Sequence, residues 1–334
     1  MYPTILAIES SCDETSASII SNGKVLNNII ATQSIHEIYG GVVPELASGA
    51  HQQKIVPVVR RAMEQANVAM KDLDAVAFTQ GPGLLGALLV GASFAKGLAI
   101  GLDVPLIGIH HMKAHILAHF IDDPKPKFPF LCLTISGGHT QIVIVRSAMD
   151  MEVIGQTQDD AVGEAFDKCA KMLGLPYPGG PVVDQLAAKG DPQKFKFPKT
   201  AMAALDYSFS GIKTAFLYFL NRERQKNPTF VEENMNDLCA SLQDHLISML
   251  MEKLVQASEQ TDIQEIAIAG GVSANSGLRT RLLALAEEKS WNLFIPAFEY
   301  CTDNAAMIAM AAHFKYIAGE FDDLEVTAMA RMTF

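Results

Sequence analysis

The chain has 334 residues, 49% hydrophobic and 19% charged, with 24 glycines, a globular composition long enough for two core-bearing domains. A net charge of −11 and a pI near 5.3 argue against autonomous, high-affinity nucleic-acid binding, because neutralising phosphate is the main non-specific term there. Met1 to Ile8 runs straight into Glu9, Asp13 and Glu14 without a basic and apolar leader pattern. The five cysteines (Cys12, Cys132, Cys169, Cys239, Cys301) are far apart and lack Cys-x-x-Cys spacing, so the chain reads as cytoplasmic, in a reducing compartment.

Thr4 to Glu9 is a β-branched and apolar run, followed by the polar turn Ser10 to Thr15 and a second run, Ala17 to Ile20. This predicts a strand, a tight turn and a returning strand. Ile55 to Ala66 and Leu84 to Ala99 read as helical, small-residue stretches suited to an interface or to core packing. The longest apolar stretch, Leu84 to Leu102, is interrupted by Gly86, Gly91, Ser93, Lys96, Gly97 and Gly101. It suits a buried glycine-rich helix better than a membrane span.

Next comes Ile109-His110-His111-Met112-Lys113-Ala114-His115, with His119 following, four of the nine histidines in eleven residues. If the segment is helical, His111 and His115 project from one face, within reach of a single ion. Such a pair needs a further ligand from elsewhere in the chain, and an ordinary core or surface role is the alternative. His110 and His119 carry no functional expectation, and His119 reads as helix surface.

The strand–turn–strand layout returns at Phe130 to Ile135, Ser136-Gly137-Gly138-His139-Thr140 and Gln141 to Val145, which suggests an internal duplication. Small residues in such turns let backbone amides approach a phosphate. Asp159 to Lys168 begins a helix whose carboxylates could face the same cleft. Tyr177-Pro178-Gly179-Gly180-Pro181 is a rigid turn feeding Val182 to Ala188, with Asp184 one helical turn in. Between Lys189 and Lys226, eight basic residues (Lys189, Lys194, Lys196, Lys199, Lys213, Arg222, Arg224, Lys226) face Asp191, Asp206 and Glu223, a net of +5 that leaves −16 on the remainder. A solvated surface insertion explains this as well as a phosphate-tracking patch, and any polyanion would have to dock locally or with a partner's help.

Glu265 to Ala269 and Gly270 to Arg279 form a strand, a Gly-Gly turn and an amphipathic run ending near Lys289, a strand entering a helix amino terminus suited to an anion. Asn275 could pair with a base or ribose edge. Asp303, at the start of a small-residue helix, is either a simple cap or the missing ligand. Two histidines with one carboxylate leave coordination positions for substrate and fit iron or zinc better than magnesium.

Ile8 to Ser16, Gly41 to Ser48, Gly81-Pro82-Gly83, Ser136 to Thr140, Gly163 to Lys168, Tyr177 to Pro181, Phe209-Ser210-Gly211 and Asp303-Asn304-Ala305 resemble the bacterial TsaD family. They stand in family order from residue 5 to about 312. The resemblance implies an α/β, two-lobed actin-like ATPase fold of the sugar kinase, Hsp70 and actin superfamily, with duplicated βββαβα lobes. It places an N-terminal lobe at 1–110, completed by a C-terminal helix at about 318–334. A C-terminal lobe at 111–317 would carry the basic insertion at about 189–226, with a nucleotide and metal cleft between the lobes.

The activity implied is transfer of a threonylcarbamoyl group from threonylcarbamoyl-AMP to the exocyclic amine of the adenosine 3′ of the anticodon, in tRNAs reading codons that begin with A. By motif, His111, His115 and Asp303 match metal ligands for one divalent ion per subunit, iron in preference to zinc. Thr134, Ile135, Ser136, Gly137, Gly138, Asp167, Gly180, Asp184 and Asn275 match contacts to an adenylate or ATP-type nucleotide. Asp13 and Glu14 are candidate orienting groups in catalysis. The implied partners are tRNA, the paralogue TsaB, pairing through the N-terminal lobe, and the ATPase TsaE, with no membrane. The chain departs from the family pattern at Lys113-Ala114, where Glu-Gly is usual, which puts a supporting role for that carboxylate in doubt. Ser273 replaces a frequent alanine, with little expected consequence. An actin-like-fold ATPase or small-molecule kinase is the alternative function. A zincin protease needs Glu directly after the first histidine, where Met112 stands.

Overall fold

The computed structural model describes residues 3–33, 39, 41–198 and 202–334, so Lys199 of the basic stretch lies outside the described residues. The chain divides into two compact units. The first comprises Met1–Lys125, Ser147–Met151 and Pro296–Phe334, and the second Pro126–Arg146 and Glu152–Ile295.

The first unit is built on β1 (Thr4–Glu9), β2 (Thr15–Ser21), β3 (Lys24–Val25), β4 (Ile29–Ala31), β5 (Ala75–Gly81) and β6 (Leu106–His110), in the order β3-β2-β1-β5-β6, with β4 on β2. β1 and β2 form an antiparallel hairpin with Thr4 opposite Ser21 and Glu9 opposite Ser16, while β5 runs parallel to β1 and β6 parallel to β5. The near-continuous apolar run of β1 is explained by cover on both sides. Ile5 and Ala7 pack with Met307, Ile308 and Ala311 of the Ala305–Ala318 helix. Leu6 and Ile8 pack with Val58 and Ala62 of the Pro44–Ala66 helix and Ala92 and Ala95 of the Leu85–Leu102 helix. Each such large apolar side chain contributes roughly 1.5–3 kcal/mol on burial.

The Leu85–Leu102 helix is buried on one face only, through Ala87, Leu88, Gly91, Ala92, Ala95 and Ala99. Its other face exposes Leu85, Leu89 and Ile100. By length and composition alone this helix could cross a membrane.

Two expectations about the first unit are corrected. The helix expected at about 318–334 is absent: the Ala305–Ala318 helix stops at Gly319, whose φ of 74° is the left-handed conformation that ends helices. The chain beyond it runs along the sheet instead, with Asp322 N–H donating to Leu106 O and Met329 N–H to Gln80 O. The boundary expected at 110/111 falls after Lys125, because Ala114 and Leu117 of the His111–Leu117 helix are part of the core built by the Ala305–Ala318 helix.

The second unit repeats the plan with β7 (Phe130–Ile135), β8 (Thr140–Val145), β9 (Met151–Gln156), β10 (Glu265–Ala269) and β11 (Asn292–Phe294), ordered β11-β10-β7-β8-β9. β7 and β8 are an antiparallel hairpin, and β10 lies parallel to β7 as β5 does to β1. The duplicated strand–turn–strand unit expected from the sequence is therefore present, and each hairpin also carries a parallel strand. Leu131, Leu133, Phe166, Phe209, Phe216, Leu242, Leu246, Ile266 and Ile268 form its core. The basic stretch is woven into this unit: Lys194 pairs with Asp237 at 2.6 Å, Lys213 with Asp160 at 3.4 Å, and Lys226 with Glu223 at 3.0 Å. Its charge is partly neutralised, and several cations hold structure.

Candidate metal centre and glycine-lined pocket

β6 delivers the chain to the His111–Leu117 helix, with His110 as its extended N-terminal cap residue. Met112, Ala114, Ile116 and Leu117 are buried, so packing fixes the helix, and the i,i+4 spacing puts His111 and His115 on one side. Their rings meet edge to face, with centroids 4.7 Å apart. Asp303 enters from the loop before the Ala305–Ala318 helix. It is not the cap: Met307 N–H donates to Asn304 Oδ1 at 3.0 Å, so Asn304 serves there and leaves Asp303 to the histidines.

Asp303 Oδ1 lies 3.3 Å from His111 Nε2 and 3.2 Å from His115 Nε2. One donor atom from each residue falls within 4.8 Å of the others. The donor set fits a divalent ion of the iron or zinc kind. Charge supports the fit, since Glu9 and Asp303 receive no ion pair from Lys or Arg among the described residues, and only imidazoles oppose them. Burial alone would lower the His111 imidazole, but Asp303 and Glu9 raise it well above its ordinary range. Burial alone would raise Asp303, yet His111 and His115 hold it far below the usual carboxylate range. Burial lowers His115.

The Ser10–Thr15 turn borders this centre. Its serines are committed: Ser10 Oγ donates to Ala87 O at 3.0 Å, and Ser11 Oγ lies 3.3 Å from His111 Nδ1. The two hydroxyls of this turn thus face Ala87 and His111. Glu14 is pushed up to about 9 by burial and by the charges of Asp303 and Asp13, with which it also shares a hydrogen bond. Sequence reasoning missed three residues. Glu9 is fully buried and contacts His111 Nδ1 at 3.1 Å, and Thr79 donates to Glu9 at 2.7 Å. His51 bridges Thr15 Oγ1 and Cys12 O. A lone acid closing the apolar run Ile5–Ile8 of β1 was the available signal for Glu9.

Lys113 places its ammonium 5.5 Å over the Phe334 ring. His110 is buried beside that ring and pushed down to about 4 by burial. His119 is also buried, correcting the expectation of a surface position.

In the second unit, Gly137, Asp167, Gly180, Asp184 and Asn275 line one cavity of about 260 Å³, together with Gly163, Phe166, Pro178 and Val272. The amino termini of three helices, Val162–Met172, Gly179–Ala187 and Ser276–Lys289, contribute residues to it, an arrangement that favours an anion. A Cβ at Gly163 would lie 2.6 Å from Ser136 O, so glycine permits the helix to approach the 136–138 loop. Gly137 and Gly138 are exposed.

The polar residues here are also scaffold. Asp167 Oδ1 accepts from Gly179 and Gly180 N–H, and burial raises its carboxyl despite those bonds. Asp184 accepts from Ser276 N–H at 2.9 Å and Gly277 N–H at 3.3 Å. Asn275 accepts from Leu278 N–H at 2.8 Å and donates to Gln243 at 2.7 Å, so its cap role uses the side chain expected to meet a base or ribose edge. Thr134 and Ile135 are fully buried in β7, and Ser136, whose Oγ accepts from His139 N–H, closes the turn. Asp159 accepts from Phe209 and Ser210 N–H, and Asp160 pairs with Lys168; neither lines the cavity.

Two α/β units repeating a hairpin with a parallel strand define an actin-like ATPase fold. Component A of the (R)-2-hydroxyglutaryl-CoA dehydratase of Acidaminococcus fermentans matches with a TM-score of 0.54 at 15% identity, over 94% of this chain and 99% of that one. Full-length HypF in its phosphate- and nucleotide-bound form matches with a TM-score of 0.64 at 13% identity, over 96% of this chain and 47% of that one. Within that fold the chain belongs to the TsaD family, the tRNA N6-adenosine threonylcarbamoyltransferases, whose profile matches residues 24–310. Relatives of that name include the proteins of Christiangramia forsetii, 60% identical over 99% of this chain and 98% of the relative, and Cytophaga hutchinsonii, 58% identical over 99% and 97%. The Porphyromonas gingivalis relative is 54% identical over 98% of both chains. The family is one of transferases that modify tRNA.

Proposed function

We propose that this chain transfers the threonylcarbamoyl group of threonylcarbamoyl-AMP to the N6 amine of the adenosine 3′ of the anticodon, in tRNAs reading codons that begin with A. The observation that carries the reading is the convergence of His111, His115 and Asp303 within 4.8 Å in a member of this family. His111 Nε2, His115 Nε2 and one Asp303 oxygen would hold a single divalent ion, Fe2+ in preference to Zn2+. When bound, the ion supplies Lewis acidity toward oxygens of the carbamoyl or carboxylate groups.

The chain's own residues do the rest. Gly137 and the helix amino termini at Gly163 and Gly180 seat the adenylate phosphate, and Asp167, Asp184 and Asn275 keep those loops in place. The aromatic amine is a weak nucleophile, so positioning it against the activated carbonyl carbon supplies much of the acceleration. The N6–C bond forms, the C–O bond to phosphate breaks, AMP departs with that electron pair, and the N6 proton passes to solvent water. Asp13 and Glu14 orient groups at the centre.

An acidic chain acting on tRNA needs help in holding it, which favours the TsaB and TsaE partners and a cytoplasmic setting. The exposed Leu85, Leu89 and Ile100 face suits pairing with TsaB. The test supplies synthetic threonylcarbamoyl-AMP, unmodified tRNA and the partners, and looks for N6-threonylcarbamoyladenosine in digested tRNA. Steady ATP turnover without tRNA and no modified nucleoside would favour an ATPase or kinase instead.

A further inference from the structure

We propose that Glu9 is a positioning residue of the metal centre, its carboxylate holding the His111 ring as the Nδ1–H tautomer so that Nε2 is the atom presented to the ion. The proposal rests on the metal-centre reading above and assigns a role to a residue outside the ligand set.

Glu9 closes β1 and is completely buried, as are the apolar residues before it. A carboxylate in that position is costly unless its oxygens are engaged. Glu9 Oε1 accepts from Ser11 N–H, and Oε2 accepts from Thr79 Oγ1 at 2.7 Å and lies 3.1 Å from His111 Nδ1. A carboxylate that takes its other contacts as an acceptor offers only lone pairs to the ring, so the hydrogen of that contact sits on Nδ1. Ser11 Oγ, 3.3 Å from the same nitrogen, is a hydroxyl able to accept there as well. With Nδ1 occupied, the lone pair of the neutral ring lies on Nε2, the atom 3.3 Å from Asp303. His115 is treated differently: its Nδ1 is buried without a partner among the described residues, so packing and Asp303 place that ring. The centre therefore has one ligand aimed from behind by a carboxylate and one that is not, and the aiming carboxylate comes from a strand 102 positions away in sequence.

Glu9→Gln makes the test sharp. Ser11 N–H and His111 Nδ1 meet different oxygens of Glu9, and an amide puts an NH2 at one of those two positions, so without moving, its oxygen cannot accept from both. If its oxygen stays with Ser11, its NH2 faces His111 and favours the other tautomer.

Two measurements on the full chain decide the matter. Zinc-loaded protein labelled with 15N-histidine should show His111, assigned by the signal lost in His111→Ala, protonated at Nδ1 and zinc-bound at Nε2. Zinc on Nδ1, or an unprotonated Nδ1, overturns the proposal, and this readout needs no Glu9 variant to fold. Co2+ affinity, measured by chelator competition, should weaken about 10–100-fold in Glu9→Gln, while AMP affinity stays unchanged. Co2+ affinity within twofold of wild type in Glu9→Gln, with binding abolished in His111→Ala, overturns the Glu9 role alone. Undiminished Co2+ affinity in His111→Ala overturns the centre and the proposal with it.

Discussion

His115 Nε2 and Asp303 Oδ1 lie 3.2 Å apart, although 188 positions separate them in the chain. Nothing local requires this. The helix that follows Asp303 is capped by Asn304, so the carboxylate of Asp303 is available to the histidines. Replacing His115 or Asp303 by alanine should therefore abolish stoichiometric metal binding and lower threonylcarbamoyl transfer at least about 100-fold. Metal analysis and rate measurement on each variant check this, and a variant that keeps both metal and rate would contradict it.

Glu14 should make the metal-free protein pH-sensitive. Its folded pKa of about 9 stands above its ordinary value of 4.5, so its contribution to stability is complete below pH 4.5 and is lost as pH rises toward 9. Urea midpoints of metal-free wild type should fall between pH 5 and pH 9 more steeply than those of Glu14→Gln. Parallel curves would show that Glu14 ionises normally.

Gly163→Ala should separate the two sites. The added Cβ meets Ser136 O at 2.6 Å and Gly137 Cα at 2.9 Å, so the helix and the glycine loop must part. Isothermal titration should show AMP affinity reduced about tenfold or more, a loss of about 1.4 kcal/mol, with Co2+ affinity unchanged. Equal AMP affinity would remove the 136–138 loop from the binding site.

Ser273 was expected to matter little, yet its side chain is fully buried and its hydroxyl has no partner among the described residues. Ser273→Ala should stabilise the chain by about 1 kcal/mol, because an unpaired buried hydroxyl costs about that much or more. Chemical denaturation reads the difference directly. Destabilisation would mean that the hydroxyl is used.

The hairpins at Thr4–Ser21 and Phe130–Val145, the third glycine turn and the His111/His115/Asp303 set were legible because each depends on local pattern, on helical spacing or on family motifs. The commitments of polar side chains were not. Whether Asp303 or Asn304 caps a helix, whether Asn275 meets a ligand or Leu278 N–H, and whether Ser11 faces phosphate or His111 depend on which backbone donors arrive from distant segments. The C-terminal stretch misled for a related reason: Gly319 ends the helix, and the residues after it find hydrogen-bond partners along β5 and β6. Glu9 escaped notice because its partner lies on another strand's helix, while its neighbours read only as core.

The most direct test of the central claim is transfer by metal-stripped and metal-reloaded protein under otherwise identical conditions, with synthetic threonylcarbamoyl-AMP, unmodified tRNA and the partners present. The account predicts that modified adenosine appears with reloaded wild type, is nearly absent with stripped protein, and is not restored by metal in His111→Ala. Equal yields of N6-threonylcarbamoyladenosine from stripped and reloaded wild type would contradict it.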